Sequence, residues 1–440
     1  MVGGADAAEV AEQLERLGAE ASAGRAPAPA APDPALASAA VRVAIDYADA
    51  AQLAAKAAKA VQAPRADSPP MWRMLRAQGV FLGRGAPGKV AFLYTGQGSQ
   101  YVNMLHDLRQ REPIVAAMFD EADRIMTPLL GKPLTEYVFA DSTDKTAVQR
   151  VEQQLMQTEY TQPAVLTTDL GLTRLLDAYG VRPDMVMGHS LGEYGALVAA
   201  GALSFDAALE AVSARGREMA SLSLGDPGAM AAVSAPLAEI ERIVAETDGY
   251  VIIANFNSTS QAVIGGVTDA VEAAVAAFKA AGRDARRIPV SHAFHTTLVA
   301  PSSEPLKVAL RRLDIRPPRL PIVSNVTGAF YPPDADVDTV LDLLGRQVAS
   351  PVRFMDGLRT LYAAGARIFV EVGPKKALHG FVEDVLGDDV LALFTNHPKT
   401  GDVASFNQAL CGLYAAGLGF PTLTAAAPDT AAVAAAGRGR

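Results

Sequence analysis

The stretch that most restricts the fold is a tight turn, G-H-S-L-G-E-Y at 188–194, which directly follows the apolar run P-D-M-V-M. A short apolar run that ends in such a turn and continues into the helical pattern G-A-L-V-A-A-G predicts a strand, a sharp bend and a helix. In an α/β protein this geometry brings a serine between two glycines to the edge of the sheet with its hydroxyl group exposed. Ser190 is therefore a candidate nucleophile, although the turn alone does not separate hydrolysis from transfer to another acceptor.

The same alternation of strand and helix extends along most of the chain. Three further apolar runs each end in a glycine turn: K-V-A-F-L-Y-T-G from Lys89, L-P-I-V-S-N-V-T-G from Leu320 and A-R-I-F-V-E-V-G-P from Ala366. Strands that alternate with helices predict right-handed crossovers and a mainly parallel sheet. We therefore predict an α/β fold with an α/β-hydrolase-like large subdomain over residues 88–227 and 289–420.

Residues 228–288 have a different order of elements. The strand patterns G-A-M-A-A-V, Y-V-I-I-A-N, Q-A-V-I-G-G and A-R-R-I-P-V combine with two helical patterns in the order β-α-β-β-α-β. That order is the split βαβ unit of a ferredoxin-like fold. We therefore predict a small ferredoxin-like subdomain inserted in the large one.

Both ends of the chain have a biased composition. Residues 25–35, R-A-P-A-P-A-A-P-D-P-A, are rich in alanine and proline, and residues 421–440 are similarly low in complexity. Because such segments are usually extended and mobile, we predict a flexible linker over 1–35, a helical linker region over 36–87 and a flexible tail over 421–440. Linkers of a longer chain and ordinary frayed termini explain this composition equally well.

The overall composition argues against several classes of protein. Of the 440 residues, 50% are hydrophobic and 20% are charged, which is typical of a globular protein with a large core. The net charge of −9 argues against a nucleic-acid partner, no apolar run is long enough to span a membrane, and a secretory signal pattern is absent. Cys411 is the only cysteine, so we expect no internal disulfide, no cysteine metal site, a core position for its thiol and a cytoplasmic location.

A serine nucleophile needs a base, and the chain has six histidines. His292 and His295 lie in S-H-A-F-H-T, directly after the inserted subdomain, where a connection back to the main sheet would face the cleft between the two subdomains. Two histidines in apolar company could also be core residues with local hydrogen bonds. No aspartate or glutamate stands out in the nucleophile–acid–base order of a hydrolase triad.

An oxyanion that develops during acyl transfer needs donors aimed at it. The backbone N–H of Leu191, which follows the nucleophile at a helix start, is the first candidate. The loop T-G-Q-G-S-Q after the first strand offers a second, because its glycines let the backbone come close and Gln97 supplies an amide N–H.

Two glycine patterns resemble nucleotide-binding loops but fail in context. T-G-Q-G-S-Q-Y lacks a third glycine, and G-R-G-A-P-G-K-V ends in Val90 where a phosphate loop has serine or threonine. The second pattern also precedes its strand, whereas a phosphate loop follows one. We therefore predict no nucleotide-binding loop.

A set of motifs that occur in order points to a family. They are G-Q-G-S-Q, T-Q-P-A (161–164), G-H-S-L-G-E-Y, V-S-A-R-G-R-E-M (212–219), H-A-F-H (292–295), S-N-V-T-G (324–328) and V-E-V-G-P (370–374). Together they resemble the malonyl-type acyltransferases of fatty-acid and polyketide synthases. The resemblance implies a ping-pong transfer, in which a malonyl group moves from malonyl-CoA to a serine and then to the phosphopantetheine thiol of an acyl carrier protein. It also implies no permanently bound cofactor and no metal, and neighbouring synthase domains such as a ketosynthase as partners.

The resemblance assigns roles to individual residues. Ser190 aligns with the nucleophile and His295 with the base of a Ser–His dyad, which the backbone carbonyl of Asn325 is expected to orient. Gln97 aligns with the side-chain oxyanion partner of the Leu191 N–H.

Substrate binding is expected to centre on Arg215, which aligns with the arginine that binds the free carboxylate of the extender unit. A planar guanidinium can hold a carboxylate with two parallel hydrogen bonds, although an arginine on a helix is otherwise usually solvated or ion-paired. His292 and Phe294 are expected to shape the acyl pocket. Gln162 and Asn257 are expected to line the cleft, Asn257 from the small subdomain.

The H-A-F-H motif bears on the choice of acyl group. It resembles the malonyl-selective form of the family, whereas methylmalonyl-selective members typically carry Y-A-S-H. Phe294 would fill the space that a serine leaves for an extra methyl group, which is worth about 1–3 kcal/mol. A methylmalonyl-selective transferase, an editing hydrolase of acyl thioesters and an inactive docking module are the alternatives.

Two positions in the serine turn bear on the type of synthase. Leu191 and Tyr194 resemble stand-alone and iterative-synthase forms of the family. Together with the linker-like ends, they suggest an excised domain of an iterative type I polyketide synthase, of the enediyne or polyunsaturated-fatty-acid type.

Overall fold

The computed structural model describes residues 1–28, 30–61, 64, 68–220, 222 and 225–420. These residues form two compact units. Of the described residues, the first contains those within 1–87, 177–181 and 410–420, and the second contains those within 88–176 and 182–409. The predicted tail over 421–440 lies outside the described residues.

The first unit contains an antiparallel sheet with helices beside it. The strands β1 (Val2–Gly4), β2 (Val41–Ile45) and β3 (Val80–Arg84) pair in the order β1-β2-β3. The helices are α1 (Ala7–Ser22), α2 (Ala50–Ala60) and α3 (Pro69–Arg76). α1 begins at Asp6, whose carboxylate accepts hydrogen bonds from the N–H groups of Ala8 and Glu9.

Two predictions for this part of the chain are wrong. The segment 1–35, predicted to be a flexible linker, contains β1 and the sixteen-residue helix α1. The segment 36–87, predicted to be a helical linker, contributes two strands to the same sheet. The physical reason is that widely spaced larger residues form a core: Val10 and Leu14 lie one helical turn apart in α1 and are buried with Val43 and Leu53. Because alanine is the most frequent residue in this segment, its composition does not show the helical spacing of Val10 and Leu14.

The second unit is built on a five-stranded parallel sheet. Its strands are β4 (Lys89–Tyr94), β5 (Met185–Gly188), β10 (Ile322–Val323), β11 (Ala366–Val372) and β12 (Leu391–Phe394). They pair in the order β10-β5-β4-β11-β12, and every pair is parallel. A core that includes Leu93, Met187, Phe354 and Leu358 packs on the sheet.

Helices connect these strands, as the alternating sequence pattern predicts. Those before the serine turn are α4 (His106–Arg111), α5 (Pro113–Leu130), α6 (Thr135–Val138), α7 (Lys145–Leu155) and α8 (Thr158–Ala178). Those after it are α9 (Gly192–Ala199), α10 (Phe205–Ala220), α13 (Ser303–Leu310), α14 (Val337–Gln347), α15 (Phe354–Ala363) and α16 (Ala377–Leu386). One more helix, α17 (Asp402–Ala416), follows the last strand, and its residues from Leu410 belong to the first unit. The predicted α/β fold class is confirmed.

The small subdomain has the predicted order of elements. β6 (Ala229–Ser234), β7 (Val251–Phe256), β8 (Gln261–Gly266) and β9 (Asp284–Arg287) form an antiparallel sheet in the order β7-β8-β6-β9, with α11 (Leu237–Glu246) and α12 (Thr268–Ala280) between strands. A backbone bridge ties it to the rest of the unit, because the N–H of Phe256 donates to the carbonyl oxygen of Val352 at 2.9 Å.

None of the helices in the described part of the chain combines the length and the apolar character needed to cross a bilayer.

Candidate active site

Ser190 lies in the sharp turn between β5 and α9, as the sequence predicts. Its φ angle of 52° is in the left-handed region, which residues other than glycine seldom adopt. Close packing explains both flanking glycines. A Cβ atom on Gly188 would lie 1.9 Å from the carbonyl carbon of Gly192, and one on Gly192 would lie 2.2 Å from the carbonyl oxygen of Tyr94. The turn is therefore held in one shape by contacts that only glycine permits.

His295 faces the hydroxyl group of Ser190. The Ser190 Oγ and His295 Nε2 atoms are 2.6 Å apart, within reach for a nucleophile and its base. His295 is 3% exposed, and its backbone N–H donates to the carbonyl oxygen of Val348 at 3.0 Å. Because His295 follows β9, the connection that leaves the small subdomain supplies this imidazole.

The other ring nitrogen of His295 faces two backbone carbonyl groups. Nδ1 lies 2.9 Å from the carbonyl oxygen of Gln347 and 3.2 Å from that of Ser350. Since a carbonyl oxygen only accepts hydrogen bonds, Nδ1 carries the proton. Nε2 is then the acceptor for the Ser190 hydroxyl group, which is the tautomer that a general base requires.

Asn325 acts on the serine turn through its side chain. The carbonyl oxygen of Asn325, predicted to orient His295, accepts instead from the N–H of Arg353 at 2.9 Å, so that prediction is wrong. Oδ1 of Asn325 accepts from the Ser190 N–H at 2.5 Å, and Nδ2 donates to the carbonyl oxygen of Gly188 at 2.7 Å. The reason is that Asn325 follows β10, which pairs with β5, so its amide reaches the turn at the end of the neighbouring strand.

A buried carboxyl group ties the serine turn to two other segments. Glu193 is 0% exposed and accepts hydrogen bonds from the Tyr331 hydroxyl group and from Gln347 Nε2, both at 2.7 Å. A third donor is the N–H of Asn325 at 3.2 Å. Burial raises the pKa of Glu193, and these hydrogen bonds oppose that rise. Gln347 Nε2 also donates to the Ser190 carbonyl oxygen at 2.9 Å, so Gln347 holds both the nucleophile and the base.

Leu191 and Gln97 occupy equivalent places beyond two adjacent strands. Tyr94 of β4 pairs with Gly188 of β5. Gln97 lies three residues after Tyr94, and Leu191 lies three residues after Gly188. Neither backbone N–H donates to a hydrogen bond within the described chain. The Gln97 side chain is turned to Thr158, with 3.4 Å between Nε2 and Oγ1. The geometry therefore favours the backbone N–H of Gln97, rather than the predicted side chain, as the partner of the Leu191 N–H.

Arg215 reaches the nucleophile from α10. Its Nη2 lies 3.3 Å from Ser190 Oγ, and the residue is 2% exposed. Its Nε has no hydrogen-bond partner, and no carboxylate of the described residues forms an ion pair with it. Burial lowers the pKa of Arg215, and the charges of Tyr194 and Glu193 oppose that fall without a direct ion pair. A buried guanidinium with no ion-pair partner is costly, so this part of the site suits an anionic ligand.

The electrostatics of His295 depend on Arg215. Burial and, second, the positive charge of Arg215 lower the pKa of His295 to about 3. The imidazole is therefore neutral at neutral pH and free to accept the Ser190 proton. A carboxylate bound to Arg215 would cancel part of the positive charge and raise the pKa of His295, which makes it a stronger base when an anionic substrate is present.

The side-chain amides of Gln162 and Asn257 differ in their hydrogen bonds. Gln162, on α8, is 0% exposed, and neither polar atom of its amide has a partner among the described residues. Asn257 is saturated, because Oδ1 lies 2.7 Å from His189 Nε2 and Nδ2 donates to Gln261 Oε1 at 2.6 Å. The Gln162 amide therefore keeps its hydrogen-bonding capacity, whereas Asn257 ties the small subdomain to His189, the residue before Ser190.

His292 and Phe294 are both buried close to His295 in the chain. Their rings are 6.2 Å apart, and His292 Nδ1 lies 3.1 Å from Ser291 Oγ. His292 makes no hydrogen bond to Ser190 in the described structure. The geometry therefore separates the two histidines and gives only His295 contact with the nucleophile.

The described residues offer neither a metal site nor a reactive cysteine. Within the described ranges, no cluster of histidine, cysteine, aspartate and glutamate side chains could hold a metal ion. Cys411 is half-buried, and burial raises the pKa of its thiol to about 12, so it is protonated at neutral pH and a poor nucleophile.

Sequence reasoning missed three residues that organise the site: Gln347, Glu193 and Tyr331. Glu193 stands inside G-H-S-L-G-E-Y, and a carboxyl group three residues after the candidate nucleophile is a signal of a role at the site. Gln347 binds His295 through a backbone carbonyl group, which leaves no signature in residue type. Tyr331 is distant in sequence and had no recognisable pattern.

This combination of parts defines a class of enzyme. A serine held in a left-handed turn at the end of a parallel strand, a neutral histidine base and two free backbone N–H groups suit the formation of an acyl ester on serine. The protein is an acyltransferase. The acyl transferase domain family matches residues 91–404, and the chain belongs to this family.

Two relatives illustrate the range of the family. The chain is 38% identical over 303 residues to the malonyl CoA-acyl carrier protein transacylase of Bacillus subtilis (strain 168), a match that covers 68% of this chain and 90% of the relative. It is 35% identical over 317 residues to the spectinabilin polyketide synthase system protein NorB of Streptomyces orinoci. That match covers 72% of this chain but only 14% of the much longer relative.

Two solved structures of acyltransferases are also similar to this chain. The acyltransferase domain from the second module of the salinomycin polyketide synthase has a TM-score of 0.70 at 31% identity, with 93% of this chain and 91% of that chain covered. A malonyl-transacylase in complex with its type II polyketide synthase acyl-carrier protein has a TM-score of 0.63 at 32% identity, with 73% and 99% covered.

Proposed function

We propose that this protein transfers a malonyl group from malonyl-CoA, through an ester on Ser190, to the phosphopantetheine thiol of an acyl carrier protein. The single observation that carries the proposal is Arg215, a buried guanidinium that forms no ion pair with a described carboxylate and lies 3.3 Å from the nucleophile. An acyl chain without a charge has no use for such a group. Malonyl thioesters carry a free carboxylate two carbons from the reacting carbonyl group, which suits an arginine beside the serine.

In the first half-reaction, the Ser190 hydroxyl group attacks the thioester carbonyl carbon while its proton passes to His295 Nε2. The oxygen of the tetrahedral intermediate accepts hydrogen bonds from the N–H groups of Leu191 and Gln97. When the intermediate collapses, the C–S bond breaks and the departing sulfur of coenzyme A takes the proton from His295. The product is a malonyl ester on Ser190.

In the second half-reaction, the thiol of the carrier protein replaces coenzyme A. His295 Nε2 takes the thiol proton, sulfur attacks the ester carbonyl carbon, and the same two N–H groups stabilise the oxyanion. Breaking the C–O bond returns the proton to Ser190 Oγ. The hydrogen bonds from Nδ1 to the carbonyl groups of Gln347 and Ser350 keep the imidazole oriented through both steps.

Phe294 supports malonyl over methylmalonyl as the acyl group. It is 7% exposed and follows His292 and Ala293 in the segment that delivers the base. A bulky ring there leaves less room for a branched acyl chain, and the discrimination from one methyl group is about 1–3 kcal/mol. Binding by His292 and Gln162 is part of the same proposal.

The setting is proposed on the family resemblance. A carrier protein and neighbouring synthase domains, a ketosynthase among them, are the expected partners in polyketide or fatty-acid synthesis, with an iterative type I synthase as the proposed origin. The single cysteine fits a reducing cytoplasm.

The test follows the fate of the acyl group. The protein is loaded with radiolabelled malonyl-CoA, and transfer to a purified holo-carrier protein is compared with release of malonate into buffer. The proposal predicts that most label reaches the carrier, with malonyl loading faster than methylmalonyl loading. Rapid release into buffer in the presence of the carrier would instead identify an editing hydrolase, and a methylmalonyl preference would refute the substrate assignment.

A further inference from the structure

A buried aspartate contacts the loop that carries the Gln97 N–H. Asp169 lies on α8 and is 1% exposed. Its Oδ1 accepts a hydrogen bond from the hydroxyl group of Thr95 at 2.9 Å. Thr95 directly follows β4 and lies two residues before Gln97. A carboxyl group inside the protein therefore holds the base of the loop that supplies an oxyanion donor.

Ser99 extends this contact to the backbone of the loop. Its hydroxyl group lies 3.2 Å from Thr95 Oγ1 and donates to the carbonyl oxygen of Gly96 at 2.7 Å. The Ser99 N–H donates to the same carbonyl oxygen at 3.2 Å. The side chains of Asp169, Thr95 and Ser99 thus form a continuous row of polar contacts that ends at the Gly96 carbonyl group. We call these three residues the Asp169 chain.

The end of the Asp169 chain determines the direction of the Gln97 N–H. The carbonyl group of Gly96 and the N–H of Gln97 belong to one peptide group, which is planar and trans. In a trans peptide group the C=O and N–H bonds point in opposite directions. The two hydrogen bonds to the Gly96 carbonyl oxygen therefore fix where the Gln97 N–H points, although neither bond involves Gln97 itself.

Close packing leaves this loop little room to move. Gly373 follows β11, which pairs with β4. A Cβ atom on Gly373 would lie 2.2 Å from Asp169 Oδ1 and 2.3 Å from Thr95 Oγ1. A Cβ atom on Gly96 would lie 2.4 Å from the carbonyl oxygen of His189 in the serine turn. The loop is therefore packed between the Asp169 chain and the serine turn.

The surroundings of Asp169 favour an uncharged side chain. Burial raises the pKa of Asp169 well above its usual range, the hydrogen bond from Thr95 opposes that rise, and the Glu371 carboxyl group adds to it. Oδ2 has no partner among the described residues, which costs less for an uncharged acid than for a carboxylate. An asparagine amide, which is uncharged and has the same shape, should therefore be able to replace Asp169.

We propose that Asp169 is a positioning residue, which acts through its hydrogen-bond chain to hold the Gln97 N–H in the direction of the oxyanion. The inference rests on the proposed function, because the oxyanion belongs to both half-reactions of that transfer. A residue that acts on the oxyanion should change the rate of acyl transfer without changing how tightly the thioester binds. Support of malonyl binding through Gln162, which α8 also carries, is the competing explanation.

The experiment compares Asp169→Leu with Asp169→Asn, whose amide oxygen can still accept from Thr95. Rapid-quench assays with malonyl-CoA and with acetyl-CoA give the maximal rate constant for acylation of Ser190 and the thioester concentration at half that rate. In Asp169→Leu the maximal rate constant should fall at least ~10-fold with both thioesters, which is less than the loss of an oxyanion donor altogether. The half-saturating concentrations should not change. Asp169→Asn should retain the wild-type rate constant.

A second variant and a control accompany this comparison. Thr95→Val removes the middle hydroxyl group of the Asp169 chain and should give the same loss of rate, also where Asp169→Leu does not fold. Thr168→Val is the matched control, because Thr168 is 0% exposed and its hydroxyl group donates within α8 to the carbonyl oxygen of Ala164 at 2.9 Å. This control should acylate as wild type does.

The outcomes separate the proposal from its alternatives. A wild-type rate constant in Asp169→Leu and Thr95→Val, or an equal loss in Asp169→Asn, would overturn it. A higher half-saturating concentration for malonyl-CoA alone would overturn it in favour of a role in malonyl binding. If wild type is acylated by acetyl-CoA but not by malonyl-CoA, the proposed function itself fails, and the comparison with acetyl-CoA still tests Asp169.

Discussion

The part of the serine turn around Ser190 and Glu193 and the proposed acyl pocket are both polar and largely buried, yet their polar atoms are partnered in opposite ways. In the serine turn, the N–H, the carbonyl oxygen and the hydroxyl group of Ser190 all have partners, as do both carboxyl oxygens of Glu193. In the proposed acyl pocket, which is defined by Arg215 and Gln162, the Arg215 Nε and both polar atoms of the Gln162 amide have no partner among the described residues.

This difference in hydrogen bonding indicates which polar groups of the site have their partners without a ligand. Satisfied buried groups stabilise the fold and fix one geometry, whereas unsatisfied ones cost free energy until a ligand binds them. Substitutions in the serine turn should therefore reduce stability, and substitutions in the acyl pocket should reduce malonyl binding without reducing stability.

The largest effect is expected from the base. His295→Ala removes the proton acceptor for Ser190, and the rate of serine acylation should fall at least ~100-fold. Rapid-quench measurement of the acyl-enzyme checks this. His292→Ala is the matched control, because His292 has no hydrogen bond to the nucleophile and should cost much less. Equal losses in the two variants would mean that the base is misassigned.

The next effect concerns Arg215. Arg215→Ala removes the charge that holds the malonyl carboxylate, and malonyl loading should weaken by about 10- to 150-fold, the worth of hydrogen bonds to a charged group. Acetyl loading should be spared or improved, because acetate has no second carboxylate. Steady-state kinetics with the two thioesters checks the ratio. Equal losses for acetyl and malonyl would make Arg215 a structural residue.

The same substitution should change the pH profile. With the Arg215 charge in place, the pKa of His295 is about 3, so the acid limb of kcat/KM for acylation should lie well below the ordinary histidine range. Removing a neighbouring positive charge favours the protonated imidazole. The acid limb of Arg215→Ala should therefore move to higher pH, and an unmoved limb would contradict the electrostatic coupling.

A substitution at Glu193 tests whether the hydrogen bonds of the serine turn stabilise the fold. Glu193→Ala leaves the buried donors of Tyr331, Gln347 and Asn325 without an acceptor, and the free energy of unfolding should fall by about 2–4 kcal/mol. Urea unfolding measures it. Tyr331→Phe, which removes one of these bonds, should cost about 1 kcal/mol. If Glu193→Ala unfolds at the wild-type urea concentration, the serine turn is not held as described.

The smallest effect is expected at Gln162, where a substitution should increase stability rather than reduce it. Gln162→Leu replaces a buried amide without partners, so the free energy of unfolding should rise by up to about 1 kcal/mol while KM for malonyl-CoA also rises. Asn257→Leu is the contrasting variant, because that amide is saturated and its loss should reduce stability. A Gln162→Leu protein that is less stable than wild type would show that the amide has a structural partner.

The parts of this molecule that could be read from the sequence have a local cause. The serine turn follows from an apolar strand and two glycines, and the ferredoxin-like subdomain follows from the order of short strand and helix patterns. The partner of His295 Nδ1 could not be predicted from the sequence, because it is the backbone carbonyl group of Gln347. Every residue has such a group, and only the tertiary fold brings this one to His295.

The failure over residues 1–87 has a different cause. Alanine-rich composition predicts a linker, although a few larger residues such as Val10, Leu14 and Val43 are enough to form a core when strands bring them together. Composition describes the average of a segment, and burial depends on where its few apolar side chains fall.

The central claim is that Ser190 carries the malonyl group during transfer. Intact-protein mass spectrometry after incubation with malonyl-CoA tests it most directly, with peptide mapping to locate the adduct. We expect a mass increase of one malonyl unit on the peptide that contains Ser190, and no increase in Ser190→Ala. An adduct that survives in Ser190→Ala, or that maps to another residue, would contradict it.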